Sequence, residues 1–407
     1  MTRLKRLISK RRRWCAVSVI ALTMAVVIVL ATAAATSAAT YDIWQPKGTY
    51  ESATIGGALF ETYTLGSGTG NFHPFLSFSS NDGVEEGYNT DADPRADPYL
   101  EDVSDVHTHS LAMMAVPVVK IGDNYYWELI CDTNQSGSNT DLTIEELEVY
   151  AADSATITGY PFPAANATMV WDFDGDEDNT LLFNGLWGNG SGTGDLRILI
   201  PYTPGLFTSG KTWFVVYAKM GNATYPCNDG FEEFGIIKYE PTSYLTVDKI
   251  TVPSGSLQGF NFTLSGYHWV KSGGDDVLEP FTTPFSLTDT AAPYQSVPLT
   301  AGVYTVTETL PDGWTLTDIS GEDSSSGSTA TVFLAFGESR TITFTDTQKS
   351  KIIVDKVTDP SGSSQLFEFN PSWSESNFYL DDDDTPYDSG WLVPGTYSVD
   401  ELGVTGW

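Results

Sequence analysis

The chain has 407 residues and a formal net charge of −33, because 53 Asp and Glu outnumber 20 Lys and Arg. Its length predicts two or three domains, since one hydrophobic core rarely extends over so many residues. A surface this acidic would repel phosphate groups, so we expect no nucleic-acid partner. The charge suits a soluble protein in a cation-rich exterior, or one that binds cations.

The first 39 residues are predicted to be a signal peptide. A basic stretch comes first, an apolar run follows from Trp14 to about Ala35, and Ser37-Ala38-Ala39 offers a cleavage site. The apolar run is nearly long enough to cross a bilayer, so an uncleaved signal anchor is the alternative. No second apolar span follows in the sequence. We therefore expect an exported protein, extracellular or on the cell surface, without a membrane span in the mature chain.

The mature chain has the pattern of an all-β protein. Short runs rich in Val, Ile, Thr, Tyr and Phe alternate with clusters of Gly, Asn, Asp, Ser and Pro, which is typical of β-sandwiches and barrels. Residues 141–150 could be a short helix, but a strand fits better. We predict a β-sandwich at 40–243, jelly-roll-like because its strands are dense, and two further β-sandwich modules at 244–348 and 349–407.

Distinctive segments occur in the predicted first domain, among them Gly87-Tyr-Asn-Thr90, Gly192-Thr-Gly-Asp-Leu196 and Gly230-Phe-Glu-Glu-Phe234. They resemble a β-rich domain of secreted bacterial proteins whose role is unknown. Some of those proteins carry sorting tails for the cell surface, but the resemblance implies no activity.

Two cysteines remain after the leader, Cys131 and Cys227. An even pair in an exported chain predicts a disulfide bond. Two buried free thiols are the alternative, because sequence alone does not bring two Cβ atoms within bonding reach.

An acidic loop is the best metal candidate in the sequence. Asp172, Asp174, Asp176 and Asp178 alternate along a segment that contains Gly175. Oxygen ligands at alternate positions suit calcium, and the early glycine and missing flanking helices distinguish the loop from an EF-hand. A solvated acidic loop is the alternative, and calcium is the only cofactor that we expect.

A five-part pattern occurs twice in the last third of the chain, in the same order both times. The first copy is Val247-x-Lys249, Pro253-Ser-Gly255, Phe260-x-Phe262, Gly302-x-Tyr304-x-Val306-x-Glu308 and Gly313-Trp314, and the second is Val354-x-Lys356, Pro360-Ser-Gly362, Phe367-x-Phe369, Gly395-x-Tyr397-x-Val399-x-Glu401 and Gly406-Trp407. Such a repeat indicates a string of similar modules. The second copy stops at Trp407, so we expect it to lack its last strand and to expose a sheet edge.

These modules resemble the prealbumin-like (SpaA or Cna-B type) domains of bacterial and archaeal surface proteins, which are β-sandwiches strung into stalks, pili and adhesins. In many of those domains a first-strand Lys bonds covalently to an Asn or Asp of the last strand, and a buried Glu passes the protons. The resemblance implies Lys249 as nucleophile, Glu308 as proton shuttle and Asp346 as acceptor. Lys356 and Glu401 are the matching pair of the second module.

Strand alternation bears on this isopeptide hypothesis. If Val247 faces inward, Lys249 does too, because residues i and i+2 share a face, and the same holds for Val306 and Glu308. Burial favours the uncharged forms of an amine and a carboxyl group, which the attack requires. The alternative is an exposed edge strand, where Lys is common.

The sequence contains no nucleophile elbow, no zinc-protease motif and no phosphate loop, so we expect no enzyme beyond a self-forming bond. The preferred interpretation is a surface protein with an adhesion or display head on a β-repeat stalk, a head that could bind carbohydrate or protein. A purely structural component of a sheath, pilus or matrix is the alternative. A secreted hydrolase with a missing catalytic domain is a less favoured third.

Overall fold

The protein is described by a computed structural model that covers residues 38–407, apart from 66–70, 81–82, 93–96, 101, 105–106, 136–139, 188–191, 203–210 and 229. The predicted signal peptide falls almost entirely outside the described residues. The described residues belong to one compact unit. In the described part of the chain, no helix has the length and apolar character needed to cross a membrane.

The first domain is a sandwich of two seven-stranded sheets. Its strands are β1 (Ala39–Asp42), β2 (Ser52–Ile55), β3 (Ala58–Thr62), β4 (Phe72–Phe78), β5 (Glu85–Tyr88), β6 (Leu111–Ala112), β7 (Val118–Ile121), β8 (Asn124–Asp132), β9 (Asp141–Ala152), β10 (Ala167–Asp172), β11 (Asn179–Asn184), β12 (Leu196–Pro201), β13 (Trp213–Met220) and β14 (Glu232–Ile237). Two short 3-10 helices, Pro98–Leu100 and Met113–Ala115, interrupt them. The all-β prediction is confirmed, and residues 141–150 are a strand.

One sheet of the first domain has the order β1-β11-β9-β13-β5, with β10 on β9 and β6 on β13, and the other has the order β2-β3-β12-β8-β14-β4, with β7 on β8. Large side chains such as Trp127, Phe183 and Phe214 fill the space between the sheets and are fully buried. The β1–β11 pair is parallel, which departs from the antiparallel pairing of a jelly roll.

The first module, residues 244–348, is a smaller sandwich. Its strands are β15 (Tyr244–Val252), β16 (Phe260–Ser272), β17 (Asp275–Leu287), β18 (Tyr294–Gln295), β19 (Gly302–Thr309), β20 (Trp314–Ser320), β21 (Ser324–Ser326), β22 (Thr329–Leu334) and β23 (Ser339–Gln348). They form the sheets β18-β15-β23-β20 and β17-β16-β19-β22-β21. The first and last strands, β15 and β23, lie side by side and run parallel.

The second module begins at residue 349 and has shorter strands. These are β24 (Ile353–Val354), β25 (Phe367–Pro371), β26 (Phe378–Leu380), β27 (Tyr387–Asp388) and β28 (Val399–Glu401). They form a two-stranded sheet, β24-β27, and a three-stranded sheet, β26-β25-β28. Its core consists of Phe367, Phe369, Phe378 and Leu380.

The first domain and the first module share apolar contacts across their junction. Val303 and Phe333 of the module are part of the first domain's core, and the Phe333 ring lies 3.9 Å from that of Tyr202. The long β16–β17 hairpin extends to the first domain and places Trp269 4.2 Å from the ring of His73. Shared burial of this kind restricts bending between the two units.

Candidate functional site

Three strands of the first module direct three ionisable side chains into its core. Along β15 the inward positions alternate, so Lys249 follows Val247 onto the buried face. Glu308 follows Val306 in the same way on β19 of the facing sheet. Asp346 occupies an inward position of β23. The sequence-predicted candidates Lys249, Glu308 and Asp346, here called the reactive trio, therefore meet between the two sheets.

The reactive trio is in direct contact and shielded from solvent. Lys249 Nζ lies 3.0 Å from Glu308 Oε1 and 3.1 Å from Asp346 Oδ2, and none of the three side chains is exposed. The Lys249 ammonium also donates to the Phe344 carbonyl oxygen at 3.3 Å. Its Nζ lies 4.3 Å from the centre of the Phe260 ring. An apolar ring on one side and two carboxyl groups on the other thus fix the position of the amine.

Burial shifts the protonation of both acids. It raises the pKa of Glu308 to about 7, although the charge of Lys249 opposes the shift. It also raises the pKa of Asp346, although the neighbouring Lys249 and Glu308 oppose the shift. One ammonium and two carboxylates would leave a net negative charge in the core, which is costly. A single proton shared by the two acids makes the trio neutral.

This arrangement has the parts needed to join an amine to a carboxyl group. Nucleophile and carbonyl carbon are held at contact distance, which replaces a bimolecular encounter by a fixed geometry. Glu308 reaches both partners and has a pKa near neutrality, so it can accept a proton and return it. No bulk water competes for either group, because the site is closed.

The second module repeats half of the site in a more open setting. Lys356 Nζ lies 3.1 Å from Glu401 Oε1, and 3.9 Å from the centre of the Phe367 ring. The Glu401 side chain is 42% exposed. Glu401 is the only acid that forms an ion pair with Lys356 within the described residues. The pair therefore has the geometry of Lys249 and Glu308 without their burial.

The predicted disulfide is absent from the structure, in which Cys131 and Cys227 are free, buried thiols. Cys131 lies on the central strand β8, whereas Cys227 lies on the loop before β14. The physical reason is local, because the Cys227 thiol is directed at the carboxyl groups of Glu85 and Glu232.

The calcium prediction falls on the loop between β10 and β11. Asp174 accepts the backbone N–H of Asn179 at 2.9 Å, and Asp172 accepts that of Asp174 at 3.0 Å, so both carboxylates order the loop. Asp176 and Asp178 are exposed. Among the described residues these four do not bring three ligand atoms within 4.8 Å of one another. Calcium at this loop stays a prediction.

Two parts of the site were not singled out from the sequence. The Phe260 ring beneath the amine belongs to the repeated Phe-x-Phe element, and its recurrence as Phe367 beneath Lys356 was the available signal. The Phe344 carbonyl follows from the parallel register, which sets Lys249 opposite Phe344 and Thr251 opposite Asp346.

Comparison with known proteins agrees with the architecture. Residues 245–375 match the family model SpaA_4, described as a prealbumin-like fold domain. No curated protein sequence matches the chain. The match covers the first module and the start of the second, so the prealbumin-like prediction for this region is confirmed.

Solved structures with some similarity are known. The TIE protein of Bacillus anthracis is 13% identical, covering 80% of this chain and 53% of its own, with a TM-score of 0.23. This chain thus spans about half the length of that protein. A major pilin (T-13) of Streptococcus pyogenes is 16% identical, and the similarity covers 57% of this chain and 98% of the pilin, with a TM-score of 0.18. An adhesin of Mobiluncus mulieris is described as containing disulfide, isopeptide and ester cross-links. It is 11% identical, and the similarity covers 65% of this chain and 98% of the adhesin, with a TM-score of 0.16. Scores this low carry no argument about function.

Proposed function

Because residues 245–375 match a prealbumin-like fold domain, we propose that the chain is an exported surface protein whose first module is a self-cross-linked stalk segment. The observation that carries the proposal is the fully buried contact of Lys249 with Glu308 and Asp346 at 3.0 and 3.1 Å. Buried ion pairs add little net stability, because desolvation offsets their attraction. Three ionisable groups in a small apolar core are better explained by a reaction.

The reaction is the condensation of the Lys249 amine with the Asp346 carboxylic acid. Glu308 takes a proton from the ammonium, and the neutral amine attacks the Asp346 carbonyl carbon. As the amide bond forms between Nζ and Cγ, Glu308 passes this proton to the departing hydroxyl group, which leaves as water, and then takes up the second proton that the nitrogen loses. The ammonium and one carboxylate are consumed, and no oxidant or cofactor is needed. The protein is its own substrate, so the chemistry occurs once per chain.

The topology explains what such a bond would do. The chain enters the module at the start of β15 and leaves it at the end of β23, and these strands are parallel neighbours. Tension applied to the two ends shears the strands against each other, and the hydrogen bonds between them resist this shear. An amide between Lys249 and Asp346 would pass the load directly from one strand to the other. Residues 250–345 would then lie outside the path of the force.

Intact mass spectrometry of the purified chain tests the reaction. We expect a mass lower by one water molecule than the sequence requires, and a digest containing a branched peptide that joins Lys249 to Asp346. A mass without the loss, in a folded sample, would refute the proposal.

For the first domain we propose a display or recognition role with a carbohydrate as the ligand. What supports it is an open depression of about 350 Å³ lined by Tyr50, Glu61 and Tyr63. Tyr50 is 66% exposed, and its ring centre lies 5.7 Å from that of Trp187 in an edge-to-face arrangement. An exposed, supported aromatic ring offers a flat apolar face with a polar end.

A glycan array probed with the full chain tests this role. We expect binding that Tyr50→Ala abolishes and that Tyr379→Ala, at an exposed tyrosine of the second module, leaves intact. Absence of any bound glycan would favour the purely structural interpretation, as part of a sheath, pilus or matrix. The shared core of head and module favours that second candidate, and filament assembly by the purified chain would support it.

A further inference from the structure

A second group of buried ionisable side chains lies in the first domain, far along the chain from the reactive trio. Glu85 begins β5 in one sheet, Glu232 begins β14 in the other, and Cys227 lies on the loop that leads into β14. One ligand atom from each lies within 4.8 Å of the other two. Among the described residues no other three His, Cys, Asp or Glu meet this closely. We call these residues the acid–thiol cluster.

The acid–thiol cluster is buried, and three of its four carboxyl oxygens lack a hydrogen-bond donor from outside the pair of acids. Glu85 and Glu232 are 0% exposed and Cys227 is 5% exposed. Glu85 Oε1 accepts the Ser80 backbone N–H at 3.0 Å, but Glu85 Oε2 and both oxygens of Glu232 have no hydrogen-bond donor. Within the described residues, no Lys or Arg forms an ion pair with either acid.

Two facing carboxyl groups without a counter-charge require either a shared proton or a bound cation. The position of the thiol favours the bound cation, because a shared proton needs no third group beside the two acids. Cys227 Sγ lies beside both, and thiolate with carboxylate is a ligand set for a borderline metal ion. Calcium and magnesium prefer oxygen ligands alone.

The backbone holds the thiol in place before any ion binds. The Cys227 N–H donates to the Gly83 carbonyl oxygen at 3.0 Å, next to the strand that carries Glu85. Gly221 passes directly beneath the sulfur with φ +75°, and a Cβ at that position would lie 2.7 Å from Cys227 Sγ. Only glycine fits such an approach, so the loop is shaped around the sulfur.

We propose that Glu85, Cys227 and Glu232 bind one zinc ion, with a water molecule as the fourth ligand. Binding would release the thiol proton and the proton held between the acids. Because the two acids belong to opposite sheets, the ion would tie the sandwich together at one end. The bound thiolate would also be unable to form a disulfide with Cys131. This structural role is independent of the cross-link in the first module.

Metal analysis of the full chain tests the proposal. After equilibration with zinc and dialysis, we expect one zinc per chain and a melting temperature that falls when a chelator removes the ion. With cobalt in place of zinc, a thiolate-to-cobalt charge-transfer absorption should appear, which reports the sulfur ligand directly. The cobalt spectrum needs only the wild-type chain, so it decides the question even if the variants fail to fold.

Two matched pairs of variants locate the site. Glu232→Gln should weaken zinc binding by about 100-fold or more, since even outer-shell changes cost about 10–100-fold. Glu233→Gln, at the next position of β14, should leave it unchanged. Cys227→Ala should abolish the charge-transfer band, whereas Cys131→Ala should keep it. A wild-type chain that retains no zinc, shows no cobalt–thiolate band, or has no titratable thiol because Cys131 and Cys227 are oxidised would overturn the proposal.

Discussion

Replacing Glu308 by Gln isolates the contribution of the proposed bond. Gln keeps the shape of the side chain and leaves Lys249 and Asp346 as a balanced ion pair at 3.1 Å. It removes the one group, among the described residues, that lies beside both and can move a proton between them. The variant should therefore fold with the three side chains in place but without the amide.

The expected loss follows from the length of chain that the bond would close. A cross-link from Lys249 to Asp346 forms a loop of about 100 residues, and closing such a loop in the unfolded chain is worth about 4.7 kcal/mol by the chain-entropy relation. For a domain of this size, about 4–8 °C of melting temperature corresponds to each kcal/mol. Glu308→Gln should thus lower the melting temperature of the first module by about 20–40 °C.

Calorimetry and intact mass on the same samples provide the measurement. The wild type should show the loss of one water molecule and the high transition, and Glu308→Gln should show neither. Glu401→Gln is the matched control, because it changes the equivalent glutamate of the second module. It should change neither the loss of one water molecule nor the first module's transition. The reasoning is refuted if Glu308→Gln still loses one water molecule, or if the wild type and Glu308→Gln have the same melting temperature.

Four further outcomes are expected. Asp346→Asn should still form the bond with ammonia as the leaving group, so the mass should fall by one ammonia and not one water. Lys249→Met removes the cation that lowers the pKa of Glu308, so the pKa of Glu308 in the folded variant stays above its value in the unfolded chain. The folded state then holds a proton that the unfolded state releases. Urea unfolding should therefore show that the variant is most stable at low pH and loses stability from pH about 5 to about 8. Gly266→Ala would place a Cβ 2.4 Å from the Tyr304 ring and should cost about 1–3 kcal/mol in denaturant titrations. Phe333→Ala should cost about 3–5 kcal/mol and expose the 240–243 segment to limited proteolysis; an unchanged cleavage rate would show that the junction is held elsewhere.

The sequence predicts those parts of the molecule that depend on local pattern. Alternation along β15 and β19 is enough to direct Lys249 and Glu308 inward, because the period of a strand is two residues. The last strand of the repeat supplies Asp346. Distance could not be predicted, since it depends on the parallel register of β15 and β23, which long-range packing sets.

The acid–thiol cluster shows more clearly what the sequence alone cannot predict. Glu85 and Glu232 are two of 53 acidic residues, and nothing in their neighbourhoods along the chain distinguishes them. They meet only because one strand from each sheet, β5 and β14, begins at the same place in the sandwich. The odd feature was the second cysteine, which the sequence pairs with Cys131, whereas the fold places its sulfur against the two acids.

The burial of charge connects both sites with the acidity of the chain. A protein with net charge −33 can keep most carboxylates in water, but each one in the core needs a partner. In the first module that partner is Lys249, and condensation removes one positive and one negative charge together, leaving Glu308 as a single acid that can stay protonated. The amide thus replaces a buried ion pair, whose net worth is small, by a neutral bond that also restricts the unfolded chain. The pair of Lys356 and Glu401 bears less of this cost, because the Glu401 side chain is 42% exposed and water solvates it. It therefore has less need to react.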